Sequence, residues 1–369
     1  MTIRPTIWAL DQDGIRQGIL EPITAKAVLR DMQVGTWLTE IDADHYLAKR
    51  INPSWTVLID DGITRISGSI NHISTTIDAT SQTLELSGVT DLHHLNDRLT
   101  YPNPLKPITQ QDTAYYTAKG TAETVLKNLI NNSCGTGALP ERRSNKLVLE
   151  EDHTRGNPIS VSERFTNLLD VVRENARAGG ITFTAVRTDD GNITVSARVP
   201  QDLSRQVRFM AETGSAATGS LSIDSATVTT AIIAGQGEGT DRAITEVSRP
   251  SARRIEQLKD RRDTEDQAVV DQAAKELLDN GAQSASASFK ISESIYTFDR
   301  DFTLGDTITV EFGAVQVSEA IRSAEITWDE YGREIELSLG DHNNDQDKEP
   351  AWVKKIQNID ARMRGLESK

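Results

Sequence analysis

Short segments in which apolar and polar residues alternate recur near both ends of this 369-residue sequence, and they constrain its fold more than any other feature. Examples are residues 55–59 and 83–87 in the first third and residues 306–312 in the last third. A period of two residues is typical of β-strands with one buried face. The sequence therefore predicts a mainly β fold with β regions at residues 1–107 and 213–342, the first with the pattern of a barrel or sandwich.

The residues between these two regions follow a different pattern. At positions 108–212 apolar residues recur about every 3.6 positions, as in helices, and helical stretches alternate with strands. We therefore predict an α+β insert domain there. Its main helix is predicted to begin at Ser160, which can form a capping box with Glu163, and to end at Gly179 and Gly180. The other predicted elements are a helix over 121–132, a hairpin over 181–197, and a helix at about 264–280 that Thr264 caps.

The second β region has features in common with the first. Residues 84–88 and 335–340 have similar sequences, and each segment follows an isoleucine-rich strand and a polar turn. This similarity suggests a duplicated β module that the insert divides. Three prolines within residues 99–107 withdraw backbone hydrogen-bond donors, which places the end of the first region there.

The C-terminal residues 343–369 are predicted to form an acidic linker and then a helix that Pro350 opens. Five apolar residues of this helix follow alternating spacings of four and three: Trp352, Ile356, Ile359, Met363 and Leu366. That spacing is typical of a coiled-coil seam and predicts a contact with another chain. The alternative is a helix that packs on its own domain, because two heptads alone make a marginal coiled coil.

The net charge excludes one class of function. The sequence has 55 acidic and 40 basic residues, and its net charge of -15 is opposite in sign to that of proteins that grip nucleic-acid phosphates. Adhesive DNA binding is therefore not expected, whereas DNA could pass an acidic wall without sticking to it. No apolar run approaches the roughly 20 residues of a membrane-spanning helix. The N-terminal residues also lack the apolar core of a signal peptide, so secretion by that route is not expected.

No catalytic or cofactor site is expected. The sequence has no G-x-S-x-G, no H-E-x-x-H and no Gly-Lys pair for a phosphate-binding loop. Gly235, Gly237 and Gly239 superficially resemble a dinucleotide loop, but Glu238 would place a negative charge beside the phosphates, and a strand-like segment follows. We interpret them as a connection between strands. The single cysteine, Cys134, excludes intrachain disulfides and is interpreted as an inert thiol.

No metal site is expected either. His93 and His94 are adjacent, so their side chains would diverge by about 100° on a helix and lie on opposite faces of a strand. The acidic run at 341–349 offers oxygen ligands at alternate positions, but it lacks the glycine and the glutamate that calcium loops carry at their sixth and twelfth positions. We interpret this run as a solvated linker.

Several short motifs occur in a characteristic order along the chain. They lie at residues 35–38, 61–68, 95–104, 202–209, 235–242, 254–263 and 301–306. The motif residues of structural interest are Arg98, Tyr101, Pro102, Pro104, Gly235, Gly237, Glu238, Gly239, Arg242, Gly305 and Asp306. In this series the sequence resembles the minor tail proteins of long-tailed bacteriophages, the hub-like tail-tip group common in phages of Gram-positive, especially actinobacterial, hosts. One departure is Leu258-Lys259, where the family pattern implies a more aromatic, apolar pair.

The resemblance implies a specific architecture. Each subunit would contain two tail-tube-like β-barrel domains and the smaller insert, and three subunits would form a pseudo-sixfold ring below the tail tube. Such a hub would extend or close the tube, adapt sixfold to threefold symmetry, and anchor receptor-binding or fibre proteins. The other implied partners are a distal tail ring protein and the tape-measure protein, with DNA only in transit. The implied location is the virion tail tip, after assembly in the host cytoplasm.

Two other functions stay open at this point. One is a carbohydrate-binding or adhesin tail protein that contacts the host cell wall, although the aromatic residues that stack on sugars make up only 5% of the chain. The other is a wall-degrading enzyme, for which the sequence carries none of the catalytic motifs named above. We expect a structural role, without enzymatic activity, cofactor or metal.

Overall fold

The structure, a computed structural model, describes residues 3–77, 82–262, 266–340 and 351–363. Its strands, in chain order, are β1 (Thr6–Leu10), β2 (Arg16–Leu20), β3 (Pro22–Arg30), β4 (Gln33–Asp42), β5 (Thr56–Asp60), β6 (Arg65–Ile77), β7 (Gln82–Thr90), β8 (Tyr116–Thr121), β9 (Leu147–Leu149), β10 (Pro158–Glu163), β11 (Thr182–Arg187), β12 (Ile193–Arg198), β13 (Arg208–Met210), β14 (Ala216–Asp224), β15 (Thr230–Ala234), β16 (Ile244–Ser248), β17 (Glu256–Asp260), β18 (Ser284–Ile291), β19 (Thr307–Phe312), β20 (Val315–Asp329) and β21 (Gly332–Leu339). Its α-helices are α1 (His93–Asn96), α2 (Ala122–Cys134), α3 (Leu168–Gly179), α4 (Gln267–Asn280) and α5 (Ala351–Met363). The mainly β class and the C-terminal helix predicted from the sequence are confirmed.

Most strands of both β regions, together with β13, join in one 13-stranded sheet, whereas β15, β16 and β17 form a separate sheet. Along its main path the order is β14-β18-β21-β20-β3-β4-β7-β6-β5-β1-β2, with β19 also paired to β20 and β13 paired to β19. The two regions meet at the antiparallel pair β3–β20, in which Ala25 lies opposite Trp328. The path is open among the described strands. The two barrels that the resemblance implies are therefore not closed units within the described part of the chain.

The sheet curls strongly, which brings strands that are distant in its order into contact. Asp61, in the turn after β5, accepts a hydrogen bond from the indole N–H of Trp328 at the end of β20 (2.9 Å). Asp61 also forms a buried ion pair with Arg333 of β21, with 3.3 Å between Arg333 Nε and Asp61 Oδ2. The turn that contains Asp61 connects β5 to β6. Three strands, β3, β4 and β7, lie between β6 and β20 in the sheet order. Only a twisted and curved sheet can make this contact.

Residues of both β regions and of β13 bury one shared apolar core inside this curl. Its largest side chains include Trp37 of β4, Trp328 of β20, and Phe209 and Phe289 of β13 and β18. The rings of Phe209 and Phe289 lie 5.6 Å apart, within the range of aromatic contacts. Burial of each such side chain contributes about 1.5–3 kcal/mol relative to leaving it exposed. The two regions therefore stabilise each other.

Two hairpins occupy corresponding positions in the two regions. β6 pairs antiparallel with β7, and β20 pairs antiparallel with β21. In each hairpin the longer strand carries a register shift, between Ile70 and His72 in β6 and between Ile321 and Ser323 in β20. Both features agree with the duplicated β module that the sequence suggests.

The middle of the chain has a separate apolar core. Helices α2 and α3 pack together beside the two-stranded antiparallel sheet β8–β10 and the sheet β11-β12-β9, and this core buries Leu126, Val172 and Phe183. The predicted helix over 121–132 and the predicted hairpin are confirmed. The predicted end of α3 is also confirmed, because Gly180 adopts the left-handed conformation (φ 72°) that glycine favours there.

The predicted start of this helix is wrong. Ser160 and Glu163 lie in strand β10, which pairs along its whole length with β8. The helix begins at Leu168, and the side chain of Asn167 caps it. Residues 158–163 alternate between more and less buried positions, so strand pairing with a partner some forty residues away outweighs the local capping pattern.

The segment that connects β14 to β18 along the chain has a third, smaller core. Helix α4 covers the three-stranded sheet β16-β15-β17 and buries Val270 and Leu278 against it. The side chain of Asp266 caps the helix, whereas the predicted cap, Thr264, lies outside the described residues. The domain boundaries drawn after positions 107, 212 and 342 stay predictions. No helix in the described part of the chain is long and apolar enough to span a membrane.

Candidate functional site

Residues of the motif at 95–104, which follows β7, contact the middle portion of the chain. The Nε–H of Arg98 donates a hydrogen bond to the backbone carbonyl of Arg142 (3.0 Å). The guanidinium of Arg142 lies 3.7 Å from the centre of the Tyr101 ring, in a cation–π contact. Pro102 and Pro104 are both buried. These motif residues therefore have structural contacts within the chain.

The glycine motif connects β15 to β16, which confirms the strand-connection interpretation. Gly237 has φ 104°, and a Cβ there would lie 2.5 Å from a backbone oxygen, so only glycine fits. The Nε–H of Arg242 donates a hydrogen bond to the carbonyl of Gly235 (3.1 Å), which closes the loop. Glu238 and Gly239 are exposed at the tip of the loop. Strand β16 follows in place of an α-helix, so the loop presents no α-helix N-terminus to a phosphate group.

Gly305 and Asp306 lie where the large sheet meets the middle portion. Oδ1 of the buried Asp306 accepts hydrogen bonds from Nη1 of Arg198 (2.7 Å) and from the backbone N–H of Gln201 (2.8 Å). A Cβ at Gly305 would lie 3.3 Å from a carboxylate oxygen of Asp31. This motif pair therefore ties the start of β19 to the end of the hairpin β11–β12.

A polar cleft of about 700 Å³ lies beside this junction. Helix α3 contributes Arg173 and Glu174 to its lining, α4 contributes Glu276, and β17 contributes Lys259. Burial raises the pKa of Glu174, and the negative charge of Glu276 raises it further. Lys259 and Glu276 pair with each other at 3.2 Å. Among the described residues, those that line the cleft include no histidine and no cysteine. They therefore offer neither a thiol nucleophile nor an imidazole base.

The C-terminal helix α5 packs on its own chain, against β4, β6 and β7. Ile356 is buried against Leu38 and Val89, and Trp352 lies half-buried beside them. Two of the five predicted seam residues are thus engaged within the chain. This arrangement corresponds to the alternative that the sequence left open, a helix packed on its own domain.

The other predicted seam residues lie toward the end of the helix. Ile359 is half-buried, and Met363 is 58% exposed. Leu366 lies outside the described residues. Contact between these residues and a partner chain stays a prediction.

Cys134 lies at the end of α2 and is buried. Its S–H donates a hydrogen bond to the carbonyl of Ile130 (3.5 Å). Burial raises the pKa of the Cys134 thiol to about 12. The thiol is therefore protonated at neutral pH, which fits the interpretation of an inert cysteine.

A polar cluster at the end of β7 differs from the expectation drawn from the sequence. His93 and His94 do not diverge, because their ring centres lie only 4.1 Å apart. One ligand atom from each of Asp91, His93 and His94 lies within 4.8 Å of the others. Burial lowers the pKa of His94 to about 2, and burial raises the pKa of Asp91. The signal in the sequence is the compact spacing D-x-H-H, which the turn into α1 folds into one cluster.

Solved structures of phage tail proteins share this fold. The 43 kDa tail protein of prophage MuSo2 from Shewanella oneidensis has a TM-score of 0.59 and 12% identity, and the match covers 91% of this chain and 97% of that one. A tail protein from Neisseria meningitidis has a TM-score of 0.57 and 14% identity, with 91% and 96% covered. Prophage tail protein gp18 from Listeria monocytogenes has a TM-score of 0.53 and 12% identity, with 98% and 99% covered. At these identities the likeness shows the fold alone.

The sequence comparisons point in the same direction. No curated protein sequence matches this chain. The family described as Siphovirus ReqiPepy6 Gp37-like protein matches residues 4–341, which is nearly the whole chain. This match confirms the resemblance to proteins of long-tailed phages. The chain therefore belongs to the Siphovirus ReqiPepy6 Gp37-like protein family, and its fold is that of phage tail proteins.

Proposed function

We propose that this chain is a hub subunit of a phage tail tip, and that three copies form a pseudo-sixfold ring that extends or closes the tail tube. The observation that carries this proposal is the curled sheet, which contains two corresponding hairpins, β6–β7 and β20–β21, in one chain. Two similar β modules per chain give six modules in a trimer. A ring of this kind could meet a sixfold tube on one side and threefold components on the other.

The two ends of the sheet support assembly into a ring. Strands β14 and β2 are the terminal strands of its path, so each has one edge without a partner strand among the described residues. An uncovered edge is a ready site for association with another chain. We propose that the β regions at 1–107 and 213–342 complete barrel-like units around these edges.

The charge of the chain fits a channel for DNA. Three copies at -15 each carry three times that charge, or -45. A wall of this sign repels DNA phosphates, so DNA would pass through the lumen without adhering. We propose that DNA meets this protein only in transit.

The proposed partners are other components of the same tail tip. They are a distal tail ring protein, the tape-measure protein, and receptor-binding or fibre proteins that the hub anchors during host attachment. The exposed Met363 at the end of α5 offers one apolar contact to such a partner. The proposed location is the virion, after assembly in the host cytoplasm.

Three-dimensional reconstruction of the virion tail tip tests the proposal. We expect three copies of this chain in a ring coaxial with the tube. A second arm compares virions that carry Ile19→Lys, on the terminal strand β2, with virions that carry Ile108→Lys, in the middle portion. Both isoleucines are exposed (40% and 53%), so neither change should disrupt the core.

Ile19→Lys should block incorporation of the chain into tails, because a charge at the sheet edge opposes pairing. The chain that carries Ile108→Lys should be incorporated into tails as efficiently as the unchanged chain. A chain found outside the tail, or present in a copy number that is not a multiple of three, would overturn the proposal. Binding to host wall polysaccharide by a chain outside the ring would favour the adhesin alternative.

A further inference from the structure

We propose that Asp91, His93 and His94 bind a divalent metal ion, either Zn²⁺ or one of its first-row neighbours. The three residues lie where β7 ends and α1 begins. The proposal reverses the absence of a metal site expected from the sequence. It goes beyond the proposed tail-tip function and does not depend on it.

The first support is the unsatisfied oxygen of Asp91. This side chain has no exposed surface, and its Oδ2 accepts a hydrogen bond from the hydroxyl of Ser67 (2.5 Å). Its Oδ1 is buried and has no hydrogen-bond partner. A buried carboxylate oxygen without a donor is costly, and a bound cation would compensate for the lost hydration.

The second support is the arrangement around His93. Its Nδ1 lies 3.0 Å from Oδ2 of Asp97, so Nδ1–H can donate to that carboxylate. This tautomer leaves the lone pair of Nε2 available, and Nε2 now faces the hydroxyl of Ser69 at 2.8 Å. A carboxylate behind a histidine is the usual way in which proteins orient a metal-binding imidazole. Binding of a metal at Nε2 would replace the hydrogen bond from Ser69.

The third support is the ring of His94, which makes no hydrogen bond to the described residues although it is largely enclosed. Its ring lies beside that of His93, with an angle of 35° between the two ring planes. The three candidate ligand atoms lie within 4.8 Å of one another, so small side-chain rotations bring them to a common ion. Rotation of the two imidazoles on the short helix α1 is the adjustment that binding requires.

The donor set defines the class of ion. Two imidazole nitrogens and one carboxylate oxygen suit zinc and its first-row neighbours, and three protein ligands leave a coordination position for water. Arg187 places a positive charge near Asp91 and His94. This charge opposes a second cation, so we expect weaker binding than at closed four-ligand zinc sites. The expected role is structural, as a bound ion would hold the turn between β7 and α1.

The test uses the full chain, treated with a chelator and dialysed, and titrated with Zn²⁺ in competition with a chromophoric chelator. Co²⁺ then reports the ligand geometry through its visible absorption. We expect one ion per chain. Asp97→Asn should weaken Zn²⁺ binding about 10- to 100-fold, as expected for a residue that orients a ligand. Asp91→Asn and His94→Gln should weaken it at least as much.

The matched control is His153→Asn, which removes an exposed histidine outside the cluster. This variant should bind as the unchanged chain does, and circular dichroism should show that all variants are folded. Asp97 is partly exposed, with 32% of its side-chain surface accessible, so its variant should fold even if the buried variants do not. Absence of saturable Zn²⁺ binding in the unchanged chain would overturn the proposal. Binding that His153→Asn weakens as much as Asp97→Asn does would also overturn it.

Discussion

Glu123 carries a buried negative charge in the first turn of α2, and its partners decide its ionisation. Its carboxylate accepts hydrogen bonds from Nζ of Lys127 (2.7 Å) and from the backbone N–H of Arg155 (2.8 Å). Burial by itself would raise the pKa of Glu123, but Lys127 and the backbone donors outweigh burial and hold this pKa below its usual value. The folded state therefore favours the ionised carboxylate.

Glu123→Gln should lower the free energy of unfolding by about 3 kcal/mol at neutral pH, because it removes the closest negative partner of the buried Lys127. The folded pKa of Glu123 is lowered, so its contribution is present above the unfolded pKa and is lost as the pH falls through the folded pKa. The difference between wild type and variant should therefore shrink in acid. Denaturant unfolding at several pH values measures this difference. A difference that grows toward low pH would contradict the assignment, and Glu212→Gln, at an exposed position, serves as the control with little effect on stability.

At the scale of elements, the local pattern of helix α3 predicts where the helix ends but not where it begins. The end of α3 follows from Gly180, whose conformation is a property of that residue itself. The start of α3 depends on whether residues 158–163 pair with β8, and this pairing joins segments that the sequence keeps apart. A capping pattern at Ser160 could not reveal that competition.

Helix α5 gives the element-scale prediction. Ile356→Ala should lower the free energy of unfolding by about 2 kcal/mol, because it leaves a cavity between α5 and the sheet. Met363→Ala, on the exposed end of the same helix, should change it by less than about 0.5 kcal/mol. Denaturant unfolding compares the two variants. Equal effects would mean that α5 does not pack on β4 and β7 as described.

At the scale of the whole molecule, one buried contact connects distant parts of the curled sheet. Asp61 binds both Trp328 and Arg333, which belong to the opposite β region. Neither partner is near Asp61 in sequence or in the strand order. The curvature of the sheet, and with it the two-module architecture, therefore involves a polar group inside an apolar core.

Asp61→Asn should destabilise the chain by about 3 kcal/mol, because it removes the nearer carboxylate partner of the buried Arg333, while Glu293 lies farther away at 3.7 Å. Trp328→Phe removes only the indole hydrogen bond and part of the ring, and should cost about 1–2 kcal/mol. Thermal and denaturant unfolding measure both effects. If Asp61→Asn cost no more than Trp328→Phe, the ion pair with Arg333 would not stabilise the curled sheet.

The sequence by itself determined the features that depend on neighbouring residues. Alternation predicted the β class, and glycines predicted helix ends. Only the tertiary structure decided that β3 pairs with β20 and that Asp91, His93 and His94 form one cluster. The physical reason is range: side-chain periodicity is fixed within a few residues, whereas strand partners and ring orientations depend on packing between segments hundreds of residues apart.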